Sequence, residues 1–336
     1  MMRSALYTLL GALALILFAC QPNGPGNTIG TSTTGETNTG TKPPPKRVDV
    51  SFNEDSAYYF VEKQVSFGPR VPGTAAHGRC VNFLNEKLAE YCDTAFVQQG
   101  TFRTMSGNIV PINNPIGIFN AESKKRILLG AHFDTRPYAD EDPERPTEPS
   151  DGANDGASGV GALLEIARQL NDLDLGLGID IIFFDAEDMG SRGGHPATWC
   201  LGSQYWSGNL HVADYFAQEG ILLDMVGAKD AIFAYEVNSI RVNPGLVREV
   251  WTTGQQLGYG KHFLNINGGA VIDDHQFVQT QTGIPMIDII EHDLSTGSFG
   301  DYWHTHKDNM DVIDAATLKA VGHTVLQVIA NRNSGI

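Results

Sequence analysis

Short apolar strands alternating with amphipathic helices predict an α/β chain. The expected form is a single domain with a central, mostly parallel, twisted mixed sheet flanked by helices on both faces. Two further observations support it. The apolar runs at residues 127–131, 179–184, 221–226 and 285–290 are short and nearly unbroken, as strands buried on both faces require. No internal repeat and no second linker follows residue 50.

The elements follow in chain order. Thr74 can cap a helix running to about Tyr91, with Val81, Leu84 and Leu88 on one face. Residues 127–131 form the first buried strand. A helix spans about 158–170, with Val160, Leu163, Leu164, Ala167 and Leu170 as its stripe. Strands at 179–184 and 221–226, a helix near 244–257, a strand at 285–290 and a last helix from about 315 to 330 complete the pattern.

With 336 residues, 41% hydrophobic and 18% charged, the chain can bury a sizeable core. Its formal net charge of -16 argues against nucleic acid as a partner, since phosphates call for Lys and Arg. An acidic surface suits a cationic ligand, such as a peptide amino terminus, or serves solubility alone.

The first twenty residues read as a targeting segment. Arg3 supplies a positive start, and an apolar stretch from Leu9 to Phe18 ends in Leu17-Phe18-Ala19-Cys20. That ending resembles a bacterial lipobox, which implies a lipid on Cys20 and an exported protein held in the cell envelope. An ordinary cleaved signal and an uncleaved anchor are the alternatives. Residues 21–50 are rich in Gly, Thr, Asn and Pro and read as a flexible tether. The expected organisation is therefore 1–20 signal peptide, 21–50 tether and 51–336 catalytic domain. Beyond Cys20 the cysteines are Cys80, Cys92 and Cys200, an odd number without a Cys-x-x-Cys. Export permits a disulfide, and the pairing stays open.

The chemistry gathers at strand exits. Glu187 and Asp188 leave the run Phe183-Phe184-Asp185-Ala186, where adjacent acids are costly unless compensated. His132-Phe133-Asp134 leaves the first strand. Asp155 lies in a Gly-rich turn before a helix, where it also reads as a turn or cap residue. Asp224 follows an apolar run, where backbone N–H groups could equally satisfy it. Asp273-Asp274-His275 precedes Phe277, as a helix start would. Trp303-His304-Thr305-His306 offers two histidines, of which His304 is the better ligand. Asp155, Asp188 and His304 are three donors of the type zinc accepts at a catalytic site, leaving Glu187 free to move protons. Residues 136–151, rich in Pro and acids, read as a solvated loop, with a pocket rim as the alternative.

These motifs resemble the M28-type zinc aminopeptidase superfamily, and within it the glutaminyl-peptide cyclotransferases (glutaminyl cyclases), over roughly residues 54–332. The resemblance implies a zinc-aminopeptidase-like fold with one Zn2+ per chain on Asp155, Asp188 and His304. It implies Glu187 as general acid and base with a raised pKa, and Asp273 in its hydrogen-bond network. It further implies that Asp224 binds the substrate amine while Trp199 and Trp303 wall the pocket. The implied substrates are peptides or proteins beginning with Gln. Animal cyclases carry Glu-Glu where this chain has Glu187-Asp188, and oxygen ligation survives that change. His132, Asp155 and Asp224 match the second metal site of two-zinc aminopeptidases, so release of amino-terminal residues is the alternative activity. A third expectation, a peptide- or glycan-binding surface lipoprotein without catalysis, fits poorly with the intact acid set.

Overall fold

The computed structural model describes residues 48–335. The expected signal peptide, Cys20 and almost all of the tether lie outside the described residues. Helix α1 (Glu54–Val65) starts at Asn53, whose side chain accepts from the amides of Asp55 and Ser56. Helix α2 (Ala75–Tyr91) starts at Thr74, as expected, through a bond from the His77 amide. An antiparallel hairpin follows, β1 (Thr94–Arg103) and β2 (Ile109–Phe119).

The central strands are β3 (Arg126–His132), β4 (Gly178–Phe184), β5 (Glu219–Asp224) and, later, Met286–Ile290. Helix α3 (Ala157–Leu170) crosses from β3 to β4, and α4 (Leu201–Gly208) from β4 to β5. After β5 come β6 (Phe233–Tyr235), α5 (Val237–Val242), α6 (Pro244–Gln256), β7 (Phe263–Asn267) and α7 (Asp274–Thr282). Met286–Ile290 is then β8, and α8 (Ala315–Asn333) closes the chain. The main sheet has the order β1-β2-β4-β3-β5-β8. β4, β3, β5 and β8 run parallel, and β2 joins β4 antiparallel. Strands β6 and β7 form a separate pair.

Side chains alternate between two cores, as a pleated strand dictates. Ile127, Leu129, Ile179, Ile181, Ile221 and Leu223 join a large core with α1, α2, α3, α6 and α8. Leu128, Ile182, Phe184, Leu222 and Met286 join a smaller one with Trp206 of α4 and Val278 of α7. Helices thus cover both faces, which is why these strands read as unbroken apolar runs. The exceptions are Asp288 in β8 and Asp180 in β4, the latter held by Arg126 of β3 through two bonds of 2.7 and 2.8 Å. Tyr215 donates to the same carboxylate at 2.8 Å.

The carboxyl ends of β3, β4, β5 and β8 meet at one edge of the sheet, where sites form in such folds. Helix α3 begins there at Gly156, whose φ of 101° lies outside the range of other residues. A Cβ on Gly159 would sit 2.1 Å from the Leu223 carbonyl oxygen, so glycine lets α3 lie directly on β5. Strand β5 stops at Asp224, two residues before the expected end, because Met225 turns into the left-handed region at φ 48°. Asp224 is therefore the last residue of the strand, buried at the sheet's carboxyl edge. Cys80, Cys92 and Cys200 are free, buried thiols.

Candidate active site

The site is assembled by acids that hold backbone. At the exit of β3, both carboxylate oxygens of Asp134 accept amides from the segment after β4, Glu187 at 2.9 Å and Asp188 at 3.2 Å. Asp308 does the same for the Gly-rich turn, accepting the amides of Asn154 at 2.7 Å and Asp155 at 3.1 Å. Burial first, and then the charge of Asp155, push Asp308 up to about 8. Arg70 is wholly buried and donates to the carbonyls of Phe133, Asp151 and Gly152. These side chains thereby take the place of regular structure in the two loops that carry Asp155 and Asp188.

Asp155, Asp188 and His304 converge, each with a ligand atom within 4.8 Å of the others. His304 Nε2 lies 3.1 Å from Asp188 Oδ1 and 3.6 Å from Asp155 Oδ2. Behind the ring, Nδ1 is 3.3 Å from Asp140. Arg136 grips Asp140 with two bonds of 2.7 and 3.1 Å, donates to the carbonyls of Asp188 and Gly190, and lies 4.6 Å from the Trp199 ring centroid. Residues 143–148 are exposed as expected of a solvated loop. The start of that segment is not, because Arg136 and Asp140 support the site. His306 bonds to Asp142 instead, leaving His304 as the inward histidine.

This trio fits zinc. Two carboxylates and an imidazole are the donor set of a catalytic zinc with an open position. Asp188 Oδ2 is buried without a hydrogen-bond partner, and Asp140 holds the far nitrogen of His304 as ligand histidines require. Although burial opposes it, the negative field of Asp188, Asp140 and Asp155 raises His304 to about 9, and the same field favours a divalent cation. A second group shares Asp155. His132 Nε2 is 3.0 Å from Asp155 Oδ1 and 3.2 Å from Asp224 Oδ1, and these three also lie within 4.8 Å of one another.

Glu187 stands between two groups, within 4.8 Å of Asp188 and His132 on one side and of Asp273 and Cys200 on the other. Burial first, then the charge of Asp188, with Asp273 and Asp274 behind it, push Glu187 well above the carboxylate range. Asp273 caps α7 and is itself raised to about 7 by burial and by Asp224. Burial also acts to raise Asp188, but His304 outweighs it and leaves this carboxyl below its usual value. Two acids adjacent in sequence are thus driven apart, one toward holding a proton and one toward staying ionised.

Trp199 and Trp303 both stack on His304, with ring centroids at 6.0 and 3.7 Å. With Ile272, Phe299, Asp224 and Asp273 they line a pocket of about 300 Å³ that also reaches Asp155, Glu187 and Asp188. The residues expected to hold zinc, move protons and bind substrate therefore all border one cavity, whose lining does not include His132. Arg70, Arg136, Asp140, Asp308 and Cys200 were not expected. Nor was Asp288, buried in β8 with its Oδ2 3.5 Å from His275 Nδ1. A lone acid within the apolar run 285–290 was its signal; Arg70 had none.

Residues 114–329 match the profile of Peptidase family M28. A glutaminyl cyclase from Porphyromonas gingivalis is 50% identical, with a TM-score of 0.82 over 84% of this chain and 99% of that one. A Zn-dependent exopeptidase from Parabacteroides distasonis ATCC 8503 is 51% identical, with a TM-score of 0.82 and the same coverage. The glutaminyl-peptide cyclotransferase of Bos taurus is 26% identical over 250 residues, 64% of each chain. This chain spans less than two thirds of the length of the curated relatives it matches. The sheet order, the acids and histidine at its carboxyl edge and the extent of the match lead to one conclusion: the chain belongs to peptidase family M28.

Proposed function

We propose that this chain is a glutaminyl cyclase, converting the amino-terminal glutamine of peptides and proteins to pyroglutamate with loss of ammonia. The observation that carries this reading is the pair of indoles on His304. Trp199 and Trp303 narrow the pocket to a size that suits one small amide side chain better than varied residues. The similarity to the P. gingivalis cyclase supports it.

Asp155, Asp188 and His304 would hold one zinc ion per chain, whose chemistry there is polarisation of the side-chain amide carbonyl. Asp224, at the pocket wall, accepts a hydrogen bond from the substrate α-amine. Glu187 takes a proton from that amine as its nitrogen bonds to the amide carbon. The same carboxyl delivers the proton to the nitrogen that departs as ammonia. Asp273 stands beside Glu187 and keeps its proton affinity high. The indoles hold the glutamine side chain curled against the amine, which replaces a search over rotamers with a fixed approach.

A second reading is favoured by the group His132, Asp155 and Asp224, which suits a second divalent ion and a two-metal aminopeptidase. Mass spectrometry on a Gln-initiated peptide separates the two. Loss of ammonia from an otherwise intact peptide supports the cyclase, and release of a free amino acid overturns it. Metal analysis adds an independent count, with one zinc expected for the cyclase and two for the peptidase.

The same proposal places the protein outside the cytoplasm, tethered by a lipid on Cys20, with peptides rather than nucleic acid as partners. Its support is the Arg3-to-Cys20 segment and the net charge. Metabolic labelling with a fatty acid would be lost in Cys20→Ser; label retained in that variant would refute the anchor.

A further inference from the structure

The buried thiols have different surroundings. Cys80 and Cys92 pack within the large apolar core. Cys200 is equally inaccessible but belongs to none of the apolar clusters. Its sulfur instead lies 3.1 Å from Glu187 Oε1, with the thiol as donor. No other hydrogen bond to that carboxylate occurs among the described residues.

The backbone around this contact is held out of its relaxed form. Ala186, just before Glu187, has φ 54°, and Cys200 has φ 57°. Both lie in the left-handed region, which costs energy in any residue but glycine. The two segments are stitched together: the Cys200 amide donates to the Glu187 carbonyl at 2.9 Å, and the Leu201 amide to the Ala186 carbonyl at 3.1 Å. The stitching sets the distance between the sulfur and the carboxylate. Burial, followed by the charges of Glu187, Asp274 and Asp273, keeps the thiol well above its ordinary range, so it remains an S–H donor. An S–H is a weak donor in water, but a buried one facing a carboxylate acts in a low dielectric.

We infer that Cys200 is a positioning residue for proton transfer: its thiol caps Oε1 of Glu187 and leaves the other oxygen to the substrate amine and the departing ammonia. This rests on the proposed cyclisation. A carboxylate free to swing would spend part of its time turned from the substrate, and small misplacements of a reacting group slow the chemical step. The effect therefore belongs in kcat rather than KM.

The test compares Cys200→Ala with Cys200→Ser in the full protein, with zinc content and thermal melting measured alongside. The two replacements differ by a single hydroxyl, so shared losses come from the missing sulfur and differences come from the donor. Cys200→Ala should lower kcat about tenfold with KM within about twofold, and Cys200→Ser should recover to within about threefold of the parent. An alanine variant with parental kcat, a serine variant as slow as alanine, or a loss confined to KM would overturn the inference. A second measurement does not depend on turnover or on the cysteine variants folding. The infrared S–H stretch of Cys200 should move to higher frequency in Glu187→Gln, where a weaker amide acceptor replaces the carboxylate. An S–H spectrum identical in the two proteins would also overturn it. A parent protein that fails to cyclise Gln peptides would remove the proposed function while leaving the infrared test intact.

Discussion

Asp140 stands behind His304, its Oδ1 3.3 Å from the ring Nδ1, while Nε2 faces Asp188 and Asp155. The contact fixes which nitrogen carries hydrogen and so which one is free to bind a cation. Arg136 locks the carboxylate in turn. Asp140→Asn should therefore lower zinc affinity by about 10–100-fold, as loss of such supporting bonds does elsewhere. Competition with a zinc-binding dye measures it. The secondary structure by circular dichroism should stay unchanged.

Glu187→Gln should reduce turnover by about 10²–10⁴-fold, the range that positioned proton transfer supplies, with bound zinc unchanged. In the proposed reaction Glu187 must be ionised to accept the amine proton, so activity should rise with pH as this group releases its own. Asp273 is one of the charges that raise it, after burial and Asp188. Asp273→Asn removes that charge, and the acid limb of the kcat/KM profile should move to lower pH. A limb that stayed in place or moved upward would contradict the role given to Asp273.

Trp303→Ala removes the ring stacked 3.7 Å from His304 and opens the pocket wall. KM for a Gln-initiated dipeptide should rise by about tenfold as the side chain loses its aromatic contact. Steady-state assays on Gln and on a longer Gln peptide would check that the loss follows the glutamine rather than the residues after it.

Asp134 is buried and accepts two amides from the segment that bears Glu187 and Asp188. Asp134→Ala would leave both N–H groups without a partner in a dry environment. Stability should fall by about 2–6 kcal/mol, from roughly 1–3 kcal/mol for each of the two orphaned groups. Urea unfolding gives the number, and zinc should be lost with it because the ligand loop is no longer held.

Acid stability should depend on Glu236, the cap of α5. Burial acts to raise it, but the His275 ring 3.3 Å away and hydrogen bonds from the amides of Asn238 and Ser239 prevail and hold its pKa at about 2. Its folded pKa is thus below its unfolded one. The stabilisation is present above about pH 4.3 and is lost as pH falls through the folded value near 2. It amounts to about 3 kcal/mol at most. Unfolding of the parent and Glu236→Gln should differ most at pH 5 and converge on acidification.

The elements legible in the sequence are those whose signal is local. Residues 127–131 and 179–184 read as buried strands because both their faces are apolar, and they are β3 and β4. Helix α3 announced itself by a stripe at 3–4-residue spacing. The β1–β2 hairpin gave no comparable signal, since Gln98, Gln99, Asn113 and Asn114 interrupt its alternation. Helix α7 was foreseen only as a candidate start at Asp273, because its body is mostly polar.

Sequence alone determined the chemical types available: two carboxylates and an imidazole of the kind zinc accepts, a glutamate beside one of them, and two indoles, all in the segments that follow the apolar runs. It did so because strand exits in a parallel sheet share one edge, so residues far apart along the chain become neighbours. Tertiary structure alone decided how those groups are aimed. The bond from Cys200 to Glu187, the grip of Asp134 on two amides and that of Asp308 on the Gly-rich turn span 13 to more than 150 positions. Such contacts depend on where loops settle against a finished core, and no periodicity of hydrophobic residues encodes that.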